Sequence, residues 1–289
     1  MGRLFRLILI IGVLGSILHS VFLREDQPDF SQPRRGMPEA FRAPAPPESF
    51  PQRPLPPPSA ADPRGIIEVP SRSGDAQGTA AAIDPKGIWL TARHVAEGCR
   101  EVLVEANDRW VRTRVALLHP QTDLAVLATR GAPPAFPIAG GNAGLRIGQS
   151  AWAVGFPKSV PSVVEGQLLG RGRIGFSGRM RGEASVTVWT ERRRTPAGDG
   201  PLSGISGGPL LDAGGRIVGV AVAATERRGR FYAASPESLA EMVTRLPEAD
   251  RPGPVPPPDV RLQPERAAAF GAWAMEARMV TRVGCRGQR

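Results

Sequence analysis

Thirty-one prolines in 289 residues constrain this chain most, because they are bunched rather than spread. Proline fixes φ, lacks an N–H, and is kept out of helix interiors and central strands. From Gln27 to Arg64 the runs Pro44-Ala45-Pro46-Pro47 and Pro54-Leu55-Pro56-Pro57-Pro58 stand among arginines and small polar residues, with neither a helical nor a strand period. That stretch reads as a disordered or polyproline spacer. A second run, Arg251 to Pro258, reads the same way. Between the two, short apolar segments alternate with Gly, Pro and Asp turns, which is the pattern of all-β barrels. Val102 to Glu105, Trp110 to Leu118, Ser150 to Gly155 and Ser185 to Thr190 are the clearest strands.

One helix interrupts that pattern. Ser235 is a good N-cap and Pro236 suits the first helical position. Leu239, Met242, Val243 and Leu246 then fall on one face at i, i+3, i+4, i+7 spacing. A second helix is expected over Pro264 to Val283, with Phe270, Trp273, Ala277 and Val280 on the side that docks near Cys99. The expected organisation is an N-terminal segment 1–23, a linker 24–64, a body 65–248, a linker 249–263 and a helical tail 264–289.

Arg3 and Arg6 precede Leu7 to Leu18, which is nearly all apolar, and Val21-Phe22-Leu23 extends it. An apolar run of this length fits a signal-peptide core or a short membrane span; with no clean small-x-small cleavage site it reads as an uncleaved anchor, and a cleaved signal peptide with a secreted body is the alternative. The basic flank favours a cytoplasmic N-terminus with the body exported, so an extracytoplasmic, periplasmic location is expected. The membrane is then a partner through residues 1–23. Two cysteines, Cys99 and Cys285, fit an oxidising compartment and are expected to pair; two thiols or a bond to another chain are the alternatives. The formal charge is +10, with arginines clustered at 192–194 and at 227, 228 and 230. Such a charge permits nucleic-acid binding. Aromatic residues are few and not interleaved with the clusters, and export argues against it, so solvated basic loops are expected and no nucleic acid. Cys99, Cys285, His19 and His119 offer no metal-ligand spacing, and no cofactor is expected.

Candidate chemistry lies in Gly204-Ile205-Ser206-Gly207-Gly208-Pro209. A serine hydroxyl becomes a nucleophile only when a base takes its proton and N–H donors face the oxyanion formed on attack. Small residues around Ser206 let the backbone turn sharply enough to supply those donors. The candidate base is His94, at the end of a hairpin whose strands are Gly78 to Ile83 and Ile88 to Leu90. Its turn, Asp84-Pro85-Lys86-Gly87, carries Asp, Pro and Gly where a type I turn favours them. The candidate orienting acid is Asp123, which opens the apolar run Leu124 to Leu127. A carboxylate there can be partly buried and still accept an imidazole N–H.

The order His94, Asp123, Ser206 is that of chymotrypsin-like proteases. The stretch from about Gly78 to Leu246 resembles the protease domain of bacterial HtrA-type (Deg) enzymes. Leu90-Thr91-Ala92-Arg93-His94-Val95, Thr122-Asp123-Leu124-Ala125-Val126-Leu127, Ala153-Val154-Gly155-Phe156-Pro157 and Gly204-Ile205-Ser206-Gly207-Gly208-Pro209-Leu210-Leu211 carry the likeness. The resemblance implies a chymotrypsin-like double β-barrel with the cleft between barrels. It implies His94 as general base, Asp123 as its orienter, Ser206 as nucleophile, and the N–H groups of Gly204 and Ser206 as the oxyanion hole. The implied partner is a protein or peptide substrate. Two departures stand out. Ile205 replaces the family's usual Asn or Asp, which leaves open whether the hole exists before substrate binds. The stretch after Asp259 is too short for the family's PDZ domain. A substrate pocket is expected between Gly198–Ser203 and Val220–Ala223, with Gly200, Val220, Ala221 and Val222 as its walls. Those small or apolar walls suit a small aliphatic residue, unless Asp199 points inward and selects a basic one. The alternative function is a protease-like scaffold, tethered to the membrane, without turnover.

Overall fold

The computed structural model describes residues 53–69, 76–106, 109–141, 143–178, 180–198, 200–225 and 229–288. The N-terminal segment 1–23 and most of the 24–64 run lie outside the described residues. No helix among the described residues is long and apolar enough to cross a membrane.

Six strands close a first barrel: β2 (Ala76–Asp84), β3 (Ile88–Thr91), β4 (Cys99–Ala106), β5 (Arg109–Leu118), β6 (Ala125–Ala128) and β13 (Val280–Gln288). Around the barrel they run β13-β2-β3-β6-β5-β4. The expected β2–β3 hairpin is present. Gly87 takes φ +113°, its N–H bonds the Asp84 carbonyl at 3.1 Å, and the Asp84 side chain accepts the Lys86 N–H at 2.7 Å. Trp89, Leu127, Val104 and Val283 fill the interior.

The second sheet runs β1 (Arg64–Val69), β8 (Ser162–Gly178), β7 (Ser150–Gly155), β10 (Pro209–Leu211), β11 (Ile217–Thr225), β12 (Arg230–Ala234), β9 (Gly182–Thr195). Because β9 also pairs with β8, six of these strands close a second ring, and β1 adds in parallel to the far half of β8. Trp189 and Phe231 stack inside it with ring centroids 6.3 Å apart. Among the described residues three α-helices complete the body: α1 (Arg93–Ala96), α2 (Pro236–Arg245) and α3 (Pro264–Glu276). In α2 the Ser235 hydroxyl caps the Ser238 N–H at 3.3 Å. Leu239, Met242 and Leu246 are buried, while Val243 is half-buried.

Four expectations need correction. The tail is not one helix to Val283. It is helical only through Glu276, reverses at Arg278 (φ +59°), and returns as β13 between β2 and β4. Helix α3 packs on β8 rather than near Cys99. A Cβ on Gly271 would lie 2.2 Å from the Val163 side chain, so only glycine permits that approach. It is β13 that reaches Cys99, through the Cys99–Cys285 disulfide with a Cα separation of 5.4 Å. Residues 53–64, expected as spacer, lie along the second barrel. The Leu55 N–H bonds Leu145, the Pro63 carbonyl takes the Arg173 N–H (both 2.8 Å), and Leu55 joins the second core. An extended proline-rich strand leaves its carbonyls free for such bonds. The 249–263 stretch is likewise bound, through Gly253 to Asp84 at 2.6 Å and buried Leu262 to Ala213 at 2.7 Å.

Candidate active site

Strand β3 runs straight into α1, whose second residue is His94. Asp123 is 2 % exposed. Its Oδ1 accepts the His94 backbone N–H at 2.8 Å and its Oδ2 faces the His94 Nδ1 at 2.6 Å. One carboxylate thus fixes both the backbone and the ring of the histidine.

The loop that presents Asp123 is built around His119, which is fully buried. Its Nδ1 accepts the N–H groups of Gln121 (3.2 Å) and Thr122 (3.0 Å), so the ring proton resides on Nε2. Arg93, beside His94, donates to the carbonyls of His119 (2.9 Å) and Pro120 (3.0 Å). Burial holds the His119 pKa below its usual value. The Glu241 carboxylate, 3.6 Å from Nε2, opposes this, and Arg245 and Arg93 reinforce it. The consequence for stability has a definite sign. A folded-state pKa below the unfolded value of about 6.5 means that the unfolded chain binds the extra proton first. The His119 contribution is whole above about pH 6.5 and is lost as pH falls from there toward the folded pKa. His119→Asn keeps an acceptor oxygen near the Nδ1 position and does not titrate. We expect the Tm of wild type minus that of His119→Asn to fall between pH 7.5 and 5.5. A constant difference would refute the assignment.

The Ser206 loop is stitched to both barrels. The Ser206 carbonyl accepts the Thr79 N–H at 2.8 Å, and the Gly204 carbonyl accepts the Thr79 hydroxyl at 2.8 Å. On the other side, the Gly207 N–H bonds Ala221 at 2.8 Å and Gly208 accepts from Ala221 at 2.9 Å. A Cβ on Gly78 would lie 2.9 Å from the Ser206 carbonyl and 2.8 Å from the side chain of Val95, so the serine loop and α1 meet at one point of β2. Ile205 is 4 % exposed and packs into the second core, which accounts for an apolar residue there. The Ser203 carbonyl accepts the Lys158 N–H at 2.6 Å, and the Ile205 carbonyl accepts the Gly208 N–H at 2.7 Å. Trans peptide planes point C=O and N–H in opposite directions. The N–H groups of Gly204 and Ser206 therefore face away from Lys158 and Gly208. Neither has a hydrogen-bond partner among the described residues. Lys158 (φ 50°) and Ser159 (φ 65°) form the turn that makes the first of these bonds.

A recess of about 160 Å³ adjoins Ser206. Gly200 lines it with Pro201 to Ser203, and the opposite wall is Ala223 to Thr225 rather than Val220 to Val222. Val220, Ala221 and Val222 are at most 4 % exposed and belong to the cores. The correction has a cause. Ala221 is occupied in holding the serine loop, and a bulge between Ala221 and Ala223 turns β11 outward only after Val222. Asp199 lies outside the described residues. Sequence reasoning missed Thr79, Arg93, His119 and Lys158. A threonine within the apolar strand Gly78 to Ile83, and a histidine four residues before the acid, were the available signals.

Known proteins resemble this chain over the same region. Residues 78–220 match the model of the trypsin-like peptidase domain. The serine protease HhoA of Synechocystis is 35% identical over 50% of this chain and 36% of its own. A DegP-like periplasmic serine endoprotease of Pseudomonas savastanoi is 27% identical over 75% of this chain and 43% of its own. The chain thus spans less than half the length of these relatives. In fold, the active form of the Rv3671c protease from M. tuberculosis is similar, with TM-score 0.50 and 18% identity over 70% of this chain and 97% of that one. Residues 78–220 are a trypsin-like peptidase domain, and the chain is a relative of the HtrA/DegP-type serine proteases.

Proposed function

We propose that this chain is a serine endopeptidase that cleaves peptide bonds through an acyl-enzyme. The observation that carries the reading is the double grip of buried Asp123 on His94, beside a glycine-rich serine loop bonded to the same barrel. With Asp123 accepting a hydrogen bond from the His94 Nδ1–H, the Nε2 is left as the basic nitrogen. It takes the Ser206 hydroxyl proton as Oγ bonds the substrate carbonyl carbon. The protonated ring then gives that proton to the leaving amine as the C–N bond breaks, and water repeats the cycle on the ester. The N–H groups of Gly204 and Ser206 serve as oxyanion donors. The Lys158–Ser203 bond supports a hole already formed without substrate, despite Ile205.

A fluorophosphonate probe tests the reading. Wild-type protein is expected to form one covalent adduct and Ser206→Ala none, with both folded by circular dichroism. An absence of Ser206-dependent labelling overturns the assignment and favours the non-hydrolytic scaffold. The likeness to periplasmic relatives and the Cys99–Cys285 disulfide support an extracytoplasmic site of action. Tethering through residues 1–23 belongs to the same proposal.

A further inference from the structure

The recess beside Ser206 contains an acid that is already taken. Glu191 lines it, together with Leu202, Ala224, Thr225 and Arg230. Behind Glu191, Arg194 donates from Nε to Oε1 at 2.8 Å and from Nη2 to Oε2 at 3.0 Å. The same Nη2 reaches the Gly200 carbonyl on the facing wall at 3.2 Å. The two side chains are only 20% and 11% exposed. Residues three apart on a strand ordinarily point to opposite faces. Here Glu165 pairs with Arg193 and Gly166 with Glu191, leaving Arg192 as an extra residue in a bulge. The bulge re-aims the chain and brings Glu191 and Arg194 to one face.

We propose that the Glu191–Arg194 pair determines which residue this recess admits. A lone carboxylate beside the nucleophile would select a cationic substrate side chain. With both oxygens claimed in a bidentate pair, and Arg230 also in the lining, the recess rejects Lys and Arg. It takes a small uncharged residue just before the scissile bond. The proposal rests on Ser206 as the nucleophile and adds the basis of its selectivity.

The test compares kcat/KM on three peptides that differ only at that residue, Val, Arg or Asp. Wild type is expected to favour Val. Arg194→Met unmasks Glu191 and raises the Arg:Val ratio by roughly tenfold or more, the scale of one charge-assisted hydrogen bond. Glu191→Gln leaves Arg194 unpaired and raises the Asp:Val ratio instead. The double variant returns both ratios to the wild-type level. An Arg:Val ratio in Arg194→Met within about twofold of wild type overturns the proposal. So does a wild type that prefers Arg. If Arg194→Met does not fold, Glu191→Gln decides alone, and an unchanged Asp:Val ratio overturns it. Fluorophosphonate labelling of the same samples separates the two levels. Labelled protein with unchanged ratios refutes only the selectivity, whereas unlabelled wild type refutes the nucleophile and this inference with it.

Discussion

Asp123→Asn will lower kcat by about 10⁴-fold, with the fold intact. The geometry fixes the reason. One carboxylate oxygen is committed to the His94 backbone N–H, a donor that only an oxygen can satisfy. An asparagine must therefore place its carbonyl there and turn its NH₂ toward Nδ1. That NH₂ donates where the carboxylate accepted. It drives the ring proton to Nε2, where it blocks uptake of the Ser206 proton. Rate measurements on a peptide substrate, with thermal melts as the folding control, check this. A loss of less than about tenfold would mean that Asp123 supports structure rather than the histidine's tautomer.

The largest effect on stability is expected from Gly207→Ala. The residue has φ +90°, and an added Cβ would lie 2.0 Å from the Thr79 carbonyl, 2.4 Å from the Thr91 hydroxyl and 2.9 Å from the Ala92 N. Two of these are backbone atoms of the first barrel, one of them two residues before His94, and they cannot give way as the end of a flexible side chain can. The serine loop must lift off β2, which breaks the Ser206–Thr79 bond. Left-handed strain and the lost packing together cost about 3 kcal/mol or more, about 6–12 °C in Tm for a chain of this size. Serine reactivity falls along with it. Gly140→Ala is the control, because nothing lies within 4 Å of its added Cβ, and no change in Tm is expected. Equal melts for the two variants would show that the loop is not held as described.

The parts of this architecture that were legible in sequence are those whose signals are local. Asp-Pro-x-Gly specifies the turn before His94, and Ser235-Pro236 starts α2, because caps and turns are satisfied by neighbours in the chain. The parts that were not legible depend on distant partners. Phe270, Trp273, Ala277 and Val280 keep helical spacing past the true end of α3. Only pairing with β2 and β4 makes Val280 onward a strand. Val220 to Val222 and Ala223 to Thr225 lie on one apolar run, and a bulge decides which of them face the recess. His119 reads as a turn residue until its Nδ1 is seen holding the loop of Asp123. The order of His94, Asp123 and Ser206 was readable, but the seating of the Ser206 loop against Thr79 was not.

The stave that closes the first barrel, β13, comes from far along the chain, after every strand it joins. Cys285 follows Cys99 by 186 residues, so a growing chain holds His94 and Asp123 long before it holds β13. Until that stave arrives, β2 and β4 both present raw edges and the cylinder around the histidine stays open. A nascent polypeptide therefore cannot complete the wall around its histidine until β13 has left the ribosome.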